Sequence, residues 1–231
     1  MRKWAVLAVL IGLVAAIMGA QNLRDAGLVG KVRTVDEETF ALVGNSGERI
    51  EDSLNYKDGY AYDERGNLVE WAGYEPDGRL AQKWVYAYDA KGRQTRREKF
   101  DGEGFLIVRL SSAYDDRGSR IAGTAYASDG IIIGRTKYAS DAAGRETESA
   151  EYEADGTPSY RTTFAHDEEG RIVEEAEYCP DGSLGERRVF EYVFDQIGNW
   201  TVRTTSARAR DAGSADAEPR SRTKRTLSYY P

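Results

Sequence analysis

The 231-residue sequence predicts an all-β protein: antiparallel β-hairpin repeats of 26 residues, stacked into one long twisted or curled sheet, after an N-terminal signal peptide. Three observations predict it. First, Asp-x-x-Gly recurs at Asp63/Gly66, Asp89/Gly92, Asp115/Gly118, Asp141/Gly144 and Asp167/Gly170, each step being 26 residues. A sixth copy, Asp195/Gly198, follows after 28. Second, another turn signal keeps the same period: Asp77-Gly78, Glu103-Gly104, Asp129-Gly130, Asp155-Gly156 and Asp181-Gly182. Third, apolar residues alternate between the turns, as at Leu80, Trp84, Tyr86 and Tyr88. A period of two is that of a strand.

The N-terminus comes first. Arg2 and Lys3 precede an apolar run from Trp4 to Ala20, which ends in small residues. This is the pattern of a secretory signal peptide, residues 1–20, and predicts no transmembrane segment in the mature chain. Residues 21–59 read as N-terminal cap strands, Leu28–Val35 and Thr39–Val43, with a turn at Asn45-Ser46-Gly47.

Residues 60–205 are the repeats. Asp at the first turn position accepts hydrogen bonds from backbone N–H groups, and Gly at the fourth takes the positive φ that closes a hairpin. Pro76-Asp77-Gly78 and Pro180-Asp181-Gly182 carry the same chemistry with φ fixed by proline. Aromatic residues share the period in three columns. One is Tyr74, Phe100, Tyr126, Tyr152 and Tyr178. A second is Tyr60, Tyr86, Ser112, Tyr138, Phe164 and Tyr192. The third, immediately before the turn, is Tyr62, Tyr88, Tyr114, Ser140, His166 and Phe194.

The segments Tyr60–Leu68 (YAYDERGNL), Tyr86–Arg93 (YAYDAKGR) and Phe194–Thr201 (FDQIGNWT) resemble YD repeats, the Rhs-type family. The resemblance spans 60–205 and departs at Glu103, Ser112, Ser140 and His166. It implies β-sheets that spiral or wrap. In that family large members enclose a toxin or a substrate, and some animal members mediate cell-surface contact. This chain resembles the short exported bacterial members, so the resemblance implies a fold and a location more than an activity.

The end of the chain follows. Residues 206–219 are small and polar and predict a flexible loop, and 220–231 predict a C-terminal capping strand. Caps at both ends suit a repeat sheet, whose open edges invite aggregation.

Composition narrows the function. One Cys and one His exclude a disulfide scaffold and a Cys/His zinc site. A net charge of −7 argues against nucleic acid as a partner. Four features could carry chemistry. The turn Asp column could line cation sites, but capping their own turns explains them, so no metal or cofactor is expected. The aromatic columns could stack on sugars, with Trp71, Trp84 and Trp200 as the possible ligand face; cross-strand packing is the simpler account. His166, without a Cys or Ser partner, reads as a packed substitute for Tyr, so no catalytic residue is expected. The basic run Arg220, Arg222, Lys224, Arg225 could touch anionic lipid or polysaccharide, or could simply protect an edge strand. The sequence therefore predicts a non-enzymatic exported binding or scaffolding module of the envelope or surface, periplasmic or secreted, with an unidentified protein or polysaccharide partner. The alternatives are a carbohydrate-recognising module using an exposed aromatic face and, by family analogy, a shell or partner of a toxin.

Overall fold

The computed structural model describes residues 26–44, 50–209 and 218–231. The expected signal peptide and the Asn45-Ser46-Gly47 turn lie outside these residues. Fourteen antiparallel strands follow one another: β1 (Val32–Val43), β2 (Ile50–Tyr62), β3 (Leu68–Tyr74), β4 (Leu80–Tyr88), β5 (Gln94–Asp101), β6 (Leu106–Tyr114), β7 (Arg120–Ala127), β8 (Ile132–Ser140), β9 (Glu146–Glu153), β10 (Pro158–His166), β11 (Ile172–Tyr178), β12 (Leu184–Phe194), β13 (Trp200–Ala209) and β14 (Glu218–Tyr229). Each pairs with its sequence neighbours, and β14 pairs with β1.

The antiparallel hairpin architecture is as the sequence predicts. The open or loosely curled sheet is not: the sheet closes into a barrel. Closure also changes the ends. β1 is one continuous strand where two short ones were expected, and the expected loop at 206–219 is strand up to Ala209 and again from Glu218. The basic run is no edge. β14 lies between β13 and β1, and its cations meet the acidic Asp36-Glu37-Glu38 side of the seam. Arg225 Nε is 2.6 Å from Glu37 Oε1, and Lys224 Nζ is 2.6 Å from Glu51 Oε2. A closed sheet has no unpaired edge to protect.

All eleven repeat-turn glycines have positive φ, from +79° to +94°. In each hairpin the glycine N–H donates to the carbonyl of the first turn residue, as Gly66 to Asp63. The N–H of that first residue donates in turn to the carbonyl four positions on, as Asp63 to Asn67. The loop therefore joins residues of opposite parity. Tyr60 stands opposite Trp71, and Trp71 opposite Trp84, all on one face. That face is the barrel interior.

The sixth turn departs from the other five. The sequence assigns Gly198 to turn formation, like Gly66, Gly92, Gly118, Gly144 and Gly170. Gly198 does close the turn, with φ +94°, the largest of the set. Its N–H reaches Asp195 O at only 3.3 Å, against 2.9–3.1 Å in the five earlier Asp-x-x-Gly turns. Gly198 also packs against the N-terminal segment, since a Cβ there would stand 3.8 Å from Val29 Cγ2. A cover that lies over this turn is a long-range contact, which the local motif does not encode.

The interior is mixed. Its apolar core gathers Leu28, Val32, Val35, Tyr60, Tyr62, Leu68, Trp71, Trp84 and Val108. Glu37, Asp58, Arg97, Lys99, Thr162, Glu175 and Thr223 are buried beside it. The outer wall is charged at mid-strand: Glu38 pairs with Lys57, Glu70 with Lys83, Glu98 with Arg109, Glu148 with Arg161 and Glu174 with Arg187. A barrel that crosses lipid presents an outward apolar band. Here the mid-strand positions of the outer wall carry ion pairs. Among the described residues no helix is long and apolar enough to cross a membrane.

Candidate binding site

The six Asp-x-x-Gly turns form one rim of the barrel. Each Asp serves its own loop. Asp63 Oδ1 accepts from the N–H groups of Arg65 and Asn67, and Asp89, Asp115, Asp141 and Asp195 repeat the pair of bonds. Asp167 caps the residue four positions on in the same way. The second carboxylate oxygen takes the side chain at that position: Asn67 Nδ2 at 2.9 Å, Arg93 Nε at 2.8 Å and Arg145 Nε at 2.7 Å. Hydrogen bonds from the turn backbone and then from the arginine hold Asp89 and Asp141 below the usual carboxylate range. These oxygens are committed to the fold. Among the described residues no group of three or more His, Cys, Asp and Glu converges as a metal site would.

At two of the turns the residue after the glycine also reaches the aromatic of the next hairpin. Arg93 lies over the Tyr114 ring at 5.2 Å, and Arg171 over Phe194 at 4.4 Å. The tyrosines are pinned in turn: Tyr88 OH donates to Leu68 O and Tyr114 OH to Gln94 O. Where this ladder is interrupted, the rim opens. A half-enclosed cavity of about 290 Å³ lies among the turns of β5–β11, lined by Arg93, Ser119, Arg120, Ser140, Arg145, Glu146, Phe164, His166 and Ile172. The glycines Gly92, Gly118, Gly144 and Gly170 edge it. Gly66 and Gly198, the first and last of the same column, do not line it. His166 is half-buried, and burial, then Arg145, holds its imidazole below the ordinary value and therefore neutral at pH 7. Sequence reasoning placed His166 as a packed substitute; the structure puts it in the cavity wall.

The rest of the rim is covered. Residues 26–31 fold over it, with Leu28 in the core and Val29 against Gly198. Asn199 latches them: its Oδ1 accepts from Val29 N–H at 2.6 Å, and its Nδ2 donates to Val29 O at 3.2 Å. Asn199 was not singled out from the sequence. Its position, four after Asp195, gave no distinct signal, because the first turn carries Asn67 there as well.

The expected ligand face does not form. Trp71, Trp84 and Trp200 are only 4–5% exposed. They point inward because the turn reverses parity at each hairpin. Arg97 and Lys99 lie over Trp84, and Arg203 and Arg225 over Trp200. The outer aromatic column is likewise occupied, Phe100 by Lys83, Tyr152 by Lys137 and Tyr178 by Arg161.

A closed barrel of hairpin repeats with one partly open rim thus defines the class, and known proteins place it further. Residues 62–103 match the family model described as RHS Repeat, so the chain carries the repeat that its YD motifs resemble. Among solved structures, a porin-like protein from Bacteroides uniformis aligns with a TM-score of 0.51 at 12% identity, over 85% of this chain and 96% of that one. That likeness is one of fold. A TcdB2-TccC3-Cdc42 complex aligns at 13% identity with a TM-score of 0.32, over 81% of this chain but 12% of that one. A putative outer membrane lipoprotein-sorting protein domain from Vibrio parahaemolyticus aligns at 12% identity with a TM-score of 0.38, over 84% of this chain and 85% of that one. No curated protein sequence matches the chain.

Proposed function

We propose that this protein is a non-enzymatic, exported binding module of the cell envelope or surface. The observation that carries the reading is a closed barrel whose turn carboxylates and tryptophans are used by the fold itself, leaving one partly open rim as the place for a ligand. The basic and apolar start of the sequence supports export. The RHS repeat supports an extracytoplasmic role, and the charged outer wall suits an aqueous compartment better than the lipid core.

Cell fractionation followed by native pull-down tests it. The protein should leave the cytosol and co-purify with an envelope component. A cytosolic protein, or a hydrolase activity lost on His166→Ala, would overturn the reading.

A further inference from the structure

The cavity at the Asp-x-x-Gly rim carries a ligand class. We propose that it binds a small neutral polyhydroxylated molecule the size of one sugar ring. The proposal rests on the binding-module reading and names its site.

The cavity is a built gap in a regular ladder. One step before the gap Arg93 lies over Tyr114, and two steps after it Arg171 lies over Phe194. At the step between β7 and β8 the corresponding residues are Ser119 and Ser140. Two short hydroxyls replace a guanidinium and a phenol, and the space they vacate is the cavity. Its volume is near the lower end of small-molecule pockets, roughly 300–1,000 Å³. Four turn glycines edge it, and Arg145 Nη1 bonds Asp167 O along its border at 3.0 Å.

The charges select a neutral ligand. Each arginine of the wall already has a carboxylate: Arg93 with Asp89, Arg145 with Asp141, Arg120 with Glu146. An anion would have to compete with a partner held at salt-bridge distance. The wall instead offers paired donors and acceptors: two serine hydroxyls, the neutral imidazole of His166, and the Arg120–Glu146 pair. Phe164 and Ile172 supply an apolar surface beside them. A ring with hydroxyls at its edge and C–H groups on its face matches both halves, because hydroxyls both donate and accept and the apolar face favours C–H contact.

Ligand-detected NMR on the full chain tests this with a panel of methyl glycosides, and with inorganic phosphate, sulfate and acetate as anionic probes. At least one glycoside should bind saturably, with an affinity little changed by salt. Ser140→Tyr restores the residue of the sister repeats and should weaken that binding roughly tenfold or more by filling the cavity. The same variant should melt no lower than the parent, which separates loss of the site from loss of the fold. His166→Tyr, filling the next position of the column, should weaken binding in the same direction. Failure of every glycoside to bind, preferential and salt-sensitive binding of the anions, or a Ser140→Tyr protein that still binds would each overturn the site. None of these touches the envelope reading, which fractionation decides.

Discussion

The two walls of the barrel are built differently. The wall from β12 through the seam to β4 holds most of the large buried side chains: Val32, Val35, Tyr60, Leu68, Trp71, Trp84, Phe190 and Trp200. The opposite wall holds few. Between Val108 and Ala176 no apolar side chain is fully buried, and the rim cavity opens there. Both walls use the same hairpin and the same turn chemistry. Regular backbone pairing therefore does not set how tightly the interior packs; the side chains at inward positions do. The densely packed wall also carries the contacts that close the barrel, since β1 and β14 meet within it. Burial strengthens that closure, because a charge pair removed from water is costly to break.

The same cross-strand Arg–Glu pair occurs in both walls, so it offers the largest contrast. Arg225–Glu37, 2.6 Å apart, is 8% and 3% exposed. Arg161–Glu148, 3.1 Å apart, is 42% and 39% exposed. Arg225→Ala leaves Glu37 buried without its partner and should cost about 3–5 kcal/mol. Arg161→Ala should cost about 0–1 kcal/mol. Urea denaturation of both variants measures the difference. Equal costs would dissolve the distinction between the walls.

Each wall also holds an acid that keeps its proton to unusually high pH. Burial, then Glu37, pushes Asp58 up to about 7 against the opposing pull of Arg203. Burial pushes Glu151 up to about 7 against Arg97, a cation from β5. The folded protein keeps the Asp58 proton up to about pH 7, while the unfolded chain releases it near 3.8. The unfolded state then binds fewer protons, so stability falls as pH rises between those values. Below that window both states are protonated and the cost disappears. Asp58→Asn should therefore stabilise the barrel at pH 8, on the order of 2 kcal/mol, and do little at pH 4. A gain that is the same at both pH values would show that desolvation of the carboxylate is not its source.

Much of this was legible in the sequence because it is local. Asp-x-x-Gly fixes its own turn through hydrogen bonds within five residues, and Asp115 to Ser119 behave as the motif requires. Gly198 marks the limit of that rule: its positive φ was legible, its contact with Val29 was not, because Val29 lies far away in sequence. Closure was not legible either, because it depends on β1 meeting β14 nearly two hundred residues away. The opposite charges of Asp36-Glu37-Glu38 and Arg222 to Arg225 were its signal, and that signal reads as an edge device when each strand is taken alone. Trp71 and Tyr74 differ in parity, but nothing local says which face closes inward. The cavity was half legible. Ser140 and His166 stood out as breaks in the tyrosine column, yet their meaning required the neighbouring Ser119, which only the register brings beside them.

A turn glycine gives a smaller effect that isolates backbone from packing. Gly118 has φ +89°, and a Cβ added there would meet nothing within 4 Å. Gly118→Val thus costs only the positive φ that a β-branched residue resists, about 1–2 kcal/mol. A larger loss would mean that the sparse wall transmits strain from its turns. Unchanged melting would contradict the turn geometry.

The smallest effect needs no mutation. Residues 138–163 lie in the sparse wall, and of their side chains only Thr162 is buried. Residues 60–85 bury Tyr60, Tyr62, Leu68, Trp71, Ala72 and Trp84. Both segments pair in antiparallel ladders on both sides, so hydrogen bonding alone predicts similar protection at the paired positions. If apolar burial sets the free energy of local opening, amides in 138–163 should exchange faster than those in 60–85 under native conditions. Hydrogen exchange read by mass spectrometry distinguishes the two. Equal protection would mean that the barrel opens only as a whole, with closure at the seam rather than packing along the walls as its cooperative unit.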